Sequence, residues 1–379
     1  MKKFICVLAC FTMAVSLAGC GGKDKKKNTK EIMMITNSST IDDKSFNQGT
    51  YEGVKAFGDK NKVSYDYIRP RATDKVAYDD AVDLAVKNGA KVIITPGFVF
   101  EPTIVEKQDQ YKNVKFILID GYPNNGKYDE TRKEKTAKNT VSIKYSEEQS
   151  GYLAGYAAVI DGSTKLGFMG GIAVPAIVNF GYGFLQGVDA AAKELGVETT
   201  VKYHYTSNFI ATPEAQTKAA SWYKEGIETI FACGGTVGNS VMAAAEANDP
   251  VGKVIGVDVD QSAESETVIT SACKFLAKSV EDQLTAIYNK KFQGGSNLIL
   301  GAKEGMVGIP MKTSKFTKFT EKEYEAIYKR LAAGEIKLVN STEVKVDDAG
   351  AKILDDKGQT IMIEPADIKL EKVALTEEN

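Results

Sequence analysis

From residue 31 onward, short runs of apolar and β-branched residues alternate with segments of helical hydrophobic periodicity. This alternation predicts parallel βαβ units, because a helix usually connects two neighbouring parallel strands. A first series has predicted strands at residues 32–36, 63–69, 91–96 and 114–120. Predicted helices lie between these strands, at residues 46–61, 74–88 and 100–111. The pattern therefore indicates an α/β fold built on a parallel sheet.

A second series of the same plan follows a polar loop at residues 121–139. Its predicted strands are 141–144, 165–169, 200–205, 229–233 and 253–257, and its predicted helices are 146–160, 177–195, 213–225 and 237–248. A strand at 268–272, a helix at 277–292 and a strand at 306–309 then predict a return to the first half, before an amphipathic helix at 319–333.

These two series predict two lobes. We assign residues 31–143 and 262–310 to lobe 1, residues 144–261 and 311–337 to lobe 2, and residues 338–379 to a C-terminal extension. Several chain crossings between two lobes permit hinge closure around a ligand in the cleft.

The N-terminus carries an export signal. Lys2 and Lys3 precede an apolar run from residue 4 to 17, which is too short for a permanent membrane span and ends in Leu-Ala-Gly-Cys20. This pattern predicts a signal peptide over residues 1–19. The last four residues resemble the lipobox of bacterial lipoproteins, which implies a lipid anchor on Cys20 and a flexible tether over residues 20–30. An ordinary secretory signal with an incidental Cys20 is the alternative.

Composition narrows the functional class. A formal net charge of −2 argues against a nucleic-acid partner. The single histidine, His204, is too few for a multi-histidine metal site, and no GxSxG nucleophile motif is present. We therefore expect a binding protein that is not an enzyme and uses no metal or other cofactor. Cys233 and Cys273 remain in the body as expected free thiols.

Polar and aromatic residues follow several predicted strands. Ligands of open parallel sheets bind beyond the carboxyl ends of the strands, so these positions are candidate site residues. Asp43, Phe46 and Asn47 follow the first strand, where an aromatic ring beside polar groups can stack on a planar ligand. The alternative is that Asp43 or Ser45 caps the next helix while Phe46 joins the core.

Further candidates follow later strands. Asp120 ends an apolar strand, where it either caps a turn or accepts hydrogen bonds from a ligand. Phe209 and Gly235 follow two strands of the second series, and the glycine allows close approach of the backbone to a ligand. Asp258 ends another strand and Lys274 lies after the next one; an interlobe salt bridge between them is the alternative to ligand binding.

Several motifs in this order resemble one family. They are SFNQGxxEG at 45–53, GFMGG at 167–171, FGYGFLQG at 180–187, CGG at 233–235, GVDVDQ at 256–261 and TSACK at 270–274. Together with Asp120, they are similar to the basic membrane protein family, the substrate-binding lipoproteins of ABC importers that include PnrA-like purine nucleoside receptors. The resemblance implies a type I periplasmic-binding-protein fold, with two doubly wound parallel-sheet lobes joined by a multi-crossing hinge.

The resemblance also implies a function. It points to an extracytoplasmic, lipid-anchored monomer on the cell membrane that captures purine nucleosides (guanosine, inosine or adenosine) for an ABC transporter permease. Binding of a sugar or another small polar ligand is an alternative, as is a ligand sensor for a signalling partner.

Residue roles follow from the same resemblance. Phe46 and Phe209 are expected to stack on the base, with Phe180 as competitor for one of these places. Asp120 is expected to accept from the N–H edge of the base, and Asp258 and Lys274 to bind the ribose hydroxyls. The remaining expected contacts come from the backbone of Gly235 and from Asp43 or Asn47.

Overall fold

Two mainly parallel sheets, each flanked by helices, form the body of the protein. The computed structural model describes residues 29–127, 131–347, 350–356 and 359–378. The predicted signal peptide, Cys20 and the tether up to residue 28 lie outside the described residues. None of the helices in the described ranges combines the length and hydrophobicity that a membrane span requires.

The first sheet has six strands, all parallel. In chain order they are β1 (Ile32–Ile35), β2 (Tyr65–Ile68), β3 (Val92–Pro96), β4 (Lys115–Ile119), β5 (Thr140–Tyr145) and β11 (Ser296–Leu300). Their spatial order is β11-β5-β4-β3-β1-β2. Because the order reverses between β1 and β3, this sheet is doubly wound.

The second sheet repeats this plan with seven strands. In chain order they are β6 (Lys165–Gly170), β7 (Thr199–Tyr205), β8 (Thr229–Cys233), β9 (Lys253–Asp258), β10 (Val268–Lys274), β12 (Val307–Gly308) and β13 (Val373–Glu377). Their spatial order is β12-β10-β9-β8-β6-β7-β13, and only β12 runs antiparallel to its neighbour. Every residue of β3, β8 and β10 is buried, as expected for strands covered by helices on both faces.

Nine α-helices of the described residues cover the two sheets. They are α1 (Phe46–Asn61), α2 (Lys75–Lys87), α3 (Glu101–Gln110), α4 (Glu147–Ile160), α5 (Pro175–Leu195), α6 (Pro213–Lys224), α7 (Val237–Glu246), α8 (Leu276–Tyr288) and α9 (Glu321–Ala332). The bounds of α1 agree with the predicted helix at residues 46–61.

The chain passes between the lobes three times. It leaves the first sheet after β5 and enters α4, which packs against α5 and β10 of the second lobe. It returns after β10 into α8, which packs against α1 and β4, and it crosses again between β11 and β12. The expected multi-crossing hinge is therefore present.

One part of the predicted lobe division is wrong. The sequence pattern places residues 262–310 in lobe 1, but β10 and β12 both belong to the second sheet. The reason is that β10 hydrogen-bonds in parallel to β9 and is buried throughout, so the chain changes lobe only after Lys274. Of the described elements after Lys274, α8 and β11 lie in the first lobe, and β11 is an edge strand that the sequence pattern does not predict.

Helices α4 and α5 approach each other to backbone contact. An ideal Cβ placed on Gly183 would lie 1.9 Å from the carbonyl oxygen of Glu148, and one on Gly151 would lie 2.1 Å from that of Phe180. Glycines therefore allow a helix separation that any side chain at these positions would prevent. This contact fixes the start of α4 relative to the first turns of α5. Both helix segments contribute residues to the candidate site described below.

The C-terminal extension adds a strand to the second sheet. Strand β13 pairs in parallel with β7, and the Glu378 carboxylate that follows it accepts hydrogen bonds from Lys202, Lys218 and Trp222. Cys233 and Cys273 are buried free thiols, as predicted.

Candidate ligand-binding site

The Lys274 ammonium lies buried where the two lobes meet. Its Nζ atom is 2.6 Å from Oδ2 of Asp120, 3.3 Å from Oδ1 of Asp258 and 3.9 Å from Oε1 of Glu147. Asp120 follows β4 in the first sheet, whereas Asp258 and Lys274 end the adjacent strands β9 and β10 in the second sheet. The ammonium therefore joins carboxylates from both lobes.

The two aspartates adopt an unusual backbone conformation. Asp120 has φ +56° and Asp258 has φ +67°, in the left-handed region that few residues other than glycine occupy. Such conformations cost free energy and cluster at functional sites. Both occur where a buried strand ends, at the edge of the sheet where ligands of this architecture bind.

Two hydrogen bonds connect the loop before α1 with the second lobe. Ser45 Oγ donates to Oδ2 of Asp258 at 2.5 Å, and Gln261 Nε2 donates to the carbonyl oxygen of Lys44 at 2.8 Å. The alternative of an interlobe salt bridge between Asp258 and Lys274 does not hold, because β9 and β10 lie in one sheet. The interlobe ion pair is Lys274 with Asp120.

Asp43 and Asn47 support the start of α1. The Asp43 carboxylate accepts hydrogen bonds from the backbone N–H groups of Ser45, Asn47 and Gln48 and from the Asn47 side chain. Both Asp43 and Asn47 are buried. Asp43 therefore satisfies free N–H groups of the first helical turn, which agrees with the capping alternative.

Three aromatic rings surround the Lys274 ammonium. Its Nζ lies 4.6 Å from the ring centroid of Phe46 and 5.6 Å from those of Tyr145 and Phe180, within the range of cation–π attraction. Phe46 is partly exposed, whereas Phe180 is 0% exposed and packs edge-on against Phe231.

Phe209 and Gly235 form a separate contact in the second lobe. Gly235 has φ +56°, and an ideal Cβ on it would lie 2.8 Å from the carbonyl oxygen of Phe209. That oxygen accepts a hydrogen bond from the backbone N–H of Thr236 at 3.1 Å. The loop that carries the partly exposed Phe209 ring therefore rests directly on the turn between β8 and α7.

Six residues form the cluster at this site: Lys274, Asp120, Asp258, Glu147, Ser45 and Tyr145. Its charged groups influence one another strongly. Burial raises the pKa of Asp120 above its usual value, although the Lys274 ammonium opposes this shift. Burial also raises the pKa of Glu147, to about 8, again against the effect of Lys274. For Lys274, burial lowers the pKa, but Asp120, Asp258 and Glu147 outweigh it and the pKa lies above the usual value.

The cluster has one unused hydrogen-bond acceptor. Oδ1 of Asp120 is buried and has no hydrogen-bond partner among the described residues. A buried carboxylate oxygen without a donor is costly, so this atom favours a ligand that supplies an N–H or O–H group. Across the described ranges, no group of three or more His, Cys, Asp or Glu side chains is arranged to hold a metal ion.

Three residues of the cluster are not among the site residues that the sequence predicts. The sequence predicts Ser45 only as a candidate helix cap, and it does not single out Tyr145 or Glu147. Tyr145 ends β5 and Glu147 begins the helix that follows it, so the strand-end rule that selected Asp120 applies to both.

Comparisons with known proteins agree with this architecture. Residues 30–348 match the family model described as ABC transporter substrate-binding protein PnrA-like. The chain is 28% identical over 370 residues to the CD4+ T-cell-stimulating antigen of Listeria monocytogenes, covering 89% of this chain and 99% of that protein. It is 27% identical over 338 residues to the ABC transporter nucleoside-binding protein BmpA of Lactococcus lactis, covering 82% and 92%.

A solved structure shows the same fold. The solute-binding protein of an ABC transporter system from Aeropyrum pernix superimposes with a TM-score of 0.68 at 19% sequence identity, covering 82% of this chain and 93% of that one. The predicted type I periplasmic-binding-protein fold is thus confirmed, and so is the predicted family. The chain belongs to the PnrA-like ABC transporter substrate-binding proteins, which bind a solute for a permease and are not enzymes.

Proposed function

We propose that this protein captures purine nucleosides between its lobes and delivers them to an ABC transporter permease. The observation that carries the proposal is the position of Lys274 between Asp120 and Asp258, with the Phe46 ring 4.6 Å from its ammonium. Ribose hydroxyls both donate and accept hydrogen bonds, so a carboxylate and an ammonium side by side are complementary partners for them. The Lactococcus relative, whose name is nucleoside-binding protein, supports the same ligand class.

The base is proposed to stack between Phe46 and Phe209. Both rings are partly exposed, so a ligand can reach them, whereas the fully buried Phe180 packs in the core behind Lys274. A flat purine gains stacking and burial between two phenyl rings. The unpaired Oδ1 of Asp120 is the proposed acceptor for the N1–H of guanine or hypoxanthine.

Ligand binding is proposed to stabilise the closed arrangement of the lobes. A ligand shifts a conformational equilibrium only as far as it binds one state better than the other. A nucleoside that contacts Asp120 from one lobe and Asp258 from the other meets both carboxylates only when the lobes are together. The closed state is therefore the one that the ligand favours.

Attachment to the membrane completes the proposal. Cleavage before Cys20 and lipidation of this residue would anchor the protein outside the cytoplasm, where a diacylglyceryl group gives stable attachment. We propose that the anchored protein works as a monomer that meets its permease at the membrane surface.

A thermal-shift screen of the unlipidated protein tests the ligand class. We expect inosine, guanosine and adenosine to raise the unfolding temperature, because a ligand at about 100 times its Kd adds about 2.7 kcal/mol to the free energy of unfolding. Free ribose and other sugars should give no comparable shift. An equal response to ribose would favour the sugar-binding alternative, and no response to any nucleoside would contradict the proposal.

A further inference from the structure

Glu147 is a third acid beside Lys274 that none of the proposed ligand contacts uses. It is the first residue of α4, directly after the chain has crossed into the second lobe, and it is 2% exposed. Its Oε1 atom faces the Lys274 ammonium at 3.9 Å, while its Oε2 atom accepts a hydrogen bond from Nδ2 of Asn179 at 2.9 Å.

The Asn179 side chain is itself held in place. Its Oδ1 atom accepts a hydrogen bond from the backbone N–H of Ser341 at 2.8 Å, which orients the amide so that Nδ2 faces Glu147. A fixed donor on one oxygen leaves the other oxygen of Glu147 directed at Lys274. The carboxyl group is thus positioned by α5 and by the C-terminal extension together.

The distances rank the three acids around the ammonium. Asp120 and Asp258 lie within hydrogen-bond range of Nζ, at 2.6 and 3.3 Å, whereas Glu147 is beyond it at 3.9 Å. Three ionised carboxylates around one ammonium would leave an excess of buried negative charge, which is unfavourable. The acid with the longest distance is the one that best tolerates a proton, and burial raises the pKa of Glu147 to about 8.

Several charged and titratable groups act on this carboxyl, and the Asn179 hydrogen bond lowers its pKa. Lys274 lowers its pKa, whereas Asp120 and the adjacent Glu148 raise it. Tyr122, Tyr145 and Cys233 also lie close enough for the charge of Glu147 to raise their pKa values, although burial is the larger cause for each. Lys274 is the cation that lowers the pKa of Glu147, so its position affects the ionisation of this carboxyl. Lys144 acts on the nearby Asp120.

We propose that Glu147 is a positioning residue for ligand binding, which becomes the anionic partner of Lys274 when the ligand takes the carboxylates of Asp120 and Asp258. In the proposed function, N–H and O–H groups of the ligand bind Oδ1 of Asp120 and the Asp258 carboxylate. These hydrogen bonds draw negative charge toward the ligand and weaken the attraction of both acids for the ammonium. Lys274 then turns toward Glu147, which ionises and releases its proton to the solvent. The ammonium keeps a buried counter-charge throughout, and about one proton leaves for each ligand bound.

Calorimetric titration of the purified protein with inosine tests this inference. Repeating the titration at pH 7 in buffers of different ionisation enthalpy measures the protons released. The wild type should release up to one proton. Because binding that releases a proton is favoured at higher pH, its Kd should fall by up to about tenfold for each pH unit as the pH rises toward 8. Glu147→Gln should release none and show a flat pH profile. A wild type without proton release, or a Glu147→Gln variant that behaves like it, would overturn the inference.

A matched control is available in the next residue. Glu148 is also buried, and burial raises its pKa to about 7, but its carboxylate makes no ion pair with Lys274 in the structure. Glu148→Gln should therefore keep most of the proton release, reduced only as far as loss of the Glu148 charge lowers the pKa of Glu147. Should Glu147→Gln fail to fold, Asn179→Ala removes the donor that orients Glu147 and should reduce the proton release. Unchanged release in Asn179→Ala would then count against the inference.

A ligand-free measurement separates this inference from the proposed function. In protein labelled with ¹³C-glutamate, the Glu147 carboxyl signal, identified by its absence in Glu147→Gln, should titrate near pH 8. Lys274→Gln should move this titration to higher pH, because the ammonium that lowers the pKa is gone. An unchanged titration would overturn the role of Glu147 whether or not nucleosides bind, whereas failure of inosine to bind would contradict the proposed function alone.

Discussion

The Nζ atom of Lys274 lies 2.6 Å from Oδ2 of Asp120, and this ion pair joins the second lobe to the first. Both groups are among the residues proposed to contact the ligand. The same two residues that would hold a nucleoside therefore hold the lobes together. A ligand that binds these residues also acts on their ion pair, so we expect substitutions at either residue to affect both lobe closure and affinity.

The base-reading role of Asp120 predicts a ligand-dependent loss of affinity. We expect Asp120→Asn to weaken guanosine and inosine binding by roughly 10- to 150-fold, the equivalent of a lost hydrogen bond to a charged group of about 1.5–3 kcal/mol. Adenosine lacks an N1–H and should lose less. Calorimetric Kd values for the three nucleosides test this, and an equal loss for all three would show that Asp120 does not read the base.

The stacking role of Phe46 predicts a loss that does not depend on which purine is bound. Removing one aromatic partner of a base costs about 1–3 kcal/mol, so Phe46→Ala should weaken every purine nucleoside by roughly 5- to 150-fold. Phe292→Ala is a suitable control, because this ring is also partly buried but lies near Lys115, at the opposite end of β4 from Asp120. Equal nucleoside affinities for the Phe46 and Phe292 variants would contradict stacking.

The sequence predicted the architecture better than the pairing between lobes. Alternating strands and helices indicated two doubly wound sheets, and the helix at 46–61 has the predicted bounds. The sheet to which β10 belongs was not predictable, because a fully buried strand has the same apolar pattern in either lobe. Likewise, strand ends indicated Asp120, Asp258 and Lys274, but which of them meet depends on the packing of the lobes.

Glu147 is another residue whose contact could not be predicted from the sequence. It lies inside a correctly predicted helix, where an acidic residue in the first turn is ordinary. Its contact with Lys274 depends on the crossing after β5 and on the close approach of α4 to α5. These are tertiary features that local sequence patterns do not encode.

The contact between α4 and α5 predicts a selective intolerance to side chains. Gly183→Ala would place a methyl group 1.9 Å from the Glu148 carbonyl oxygen, so we expect a loss of about 1–3 kcal/mol or more in the free energy of unfolding. Gly238→Ala is the matched control, because its Cβ would meet only ordinary contacts, the nearest being 3.7 Å from Met242. Chemical denaturation should show Gly183→Ala destabilised and Gly238→Ala unchanged or slightly stabilised; similar stabilities would contradict the close packing.

The C-terminal strand predicts an acid-dependent contribution to stability. Burial raises the pKa of Glu378, but hydrogen bonds from Lys202, Trp222 and Lys218 outweigh it and lower the pKa to about 2. A carboxylate with a depressed pKa stabilises the fold above its unfolded-state pKa of about 4.3, and this stabilisation is lost as the pH falls toward 2. Allowing for solvent screening, we expect Glu378→Gln to cost about 1 kcal/mol at pH 7 and less at pH 3.

Urea denaturation at both pH values measures this difference. Glu377→Gln is the control. Burial raises the pKa of Glu377, the residue before Glu378, so its carboxylate is not expected to lose a stabilising contribution as the pH falls. A difference between wild type and Glu378→Gln that stays constant from pH 7 to pH 3 would show that the carboxylate charge does not hold the C-terminal strand.

Calorimetric titration of the wild-type protein with inosine, with free ribose and with free hypoxanthine tests the central claim most directly. Base stacking and ribose contacts belong to one site in our account, so inosine should bind with a Kd at least about 100-fold lower than either fragment. Ribose binding as tight as inosine binding, or no heat of binding for inosine, would contradict the assignment of a purine nucleoside to this site.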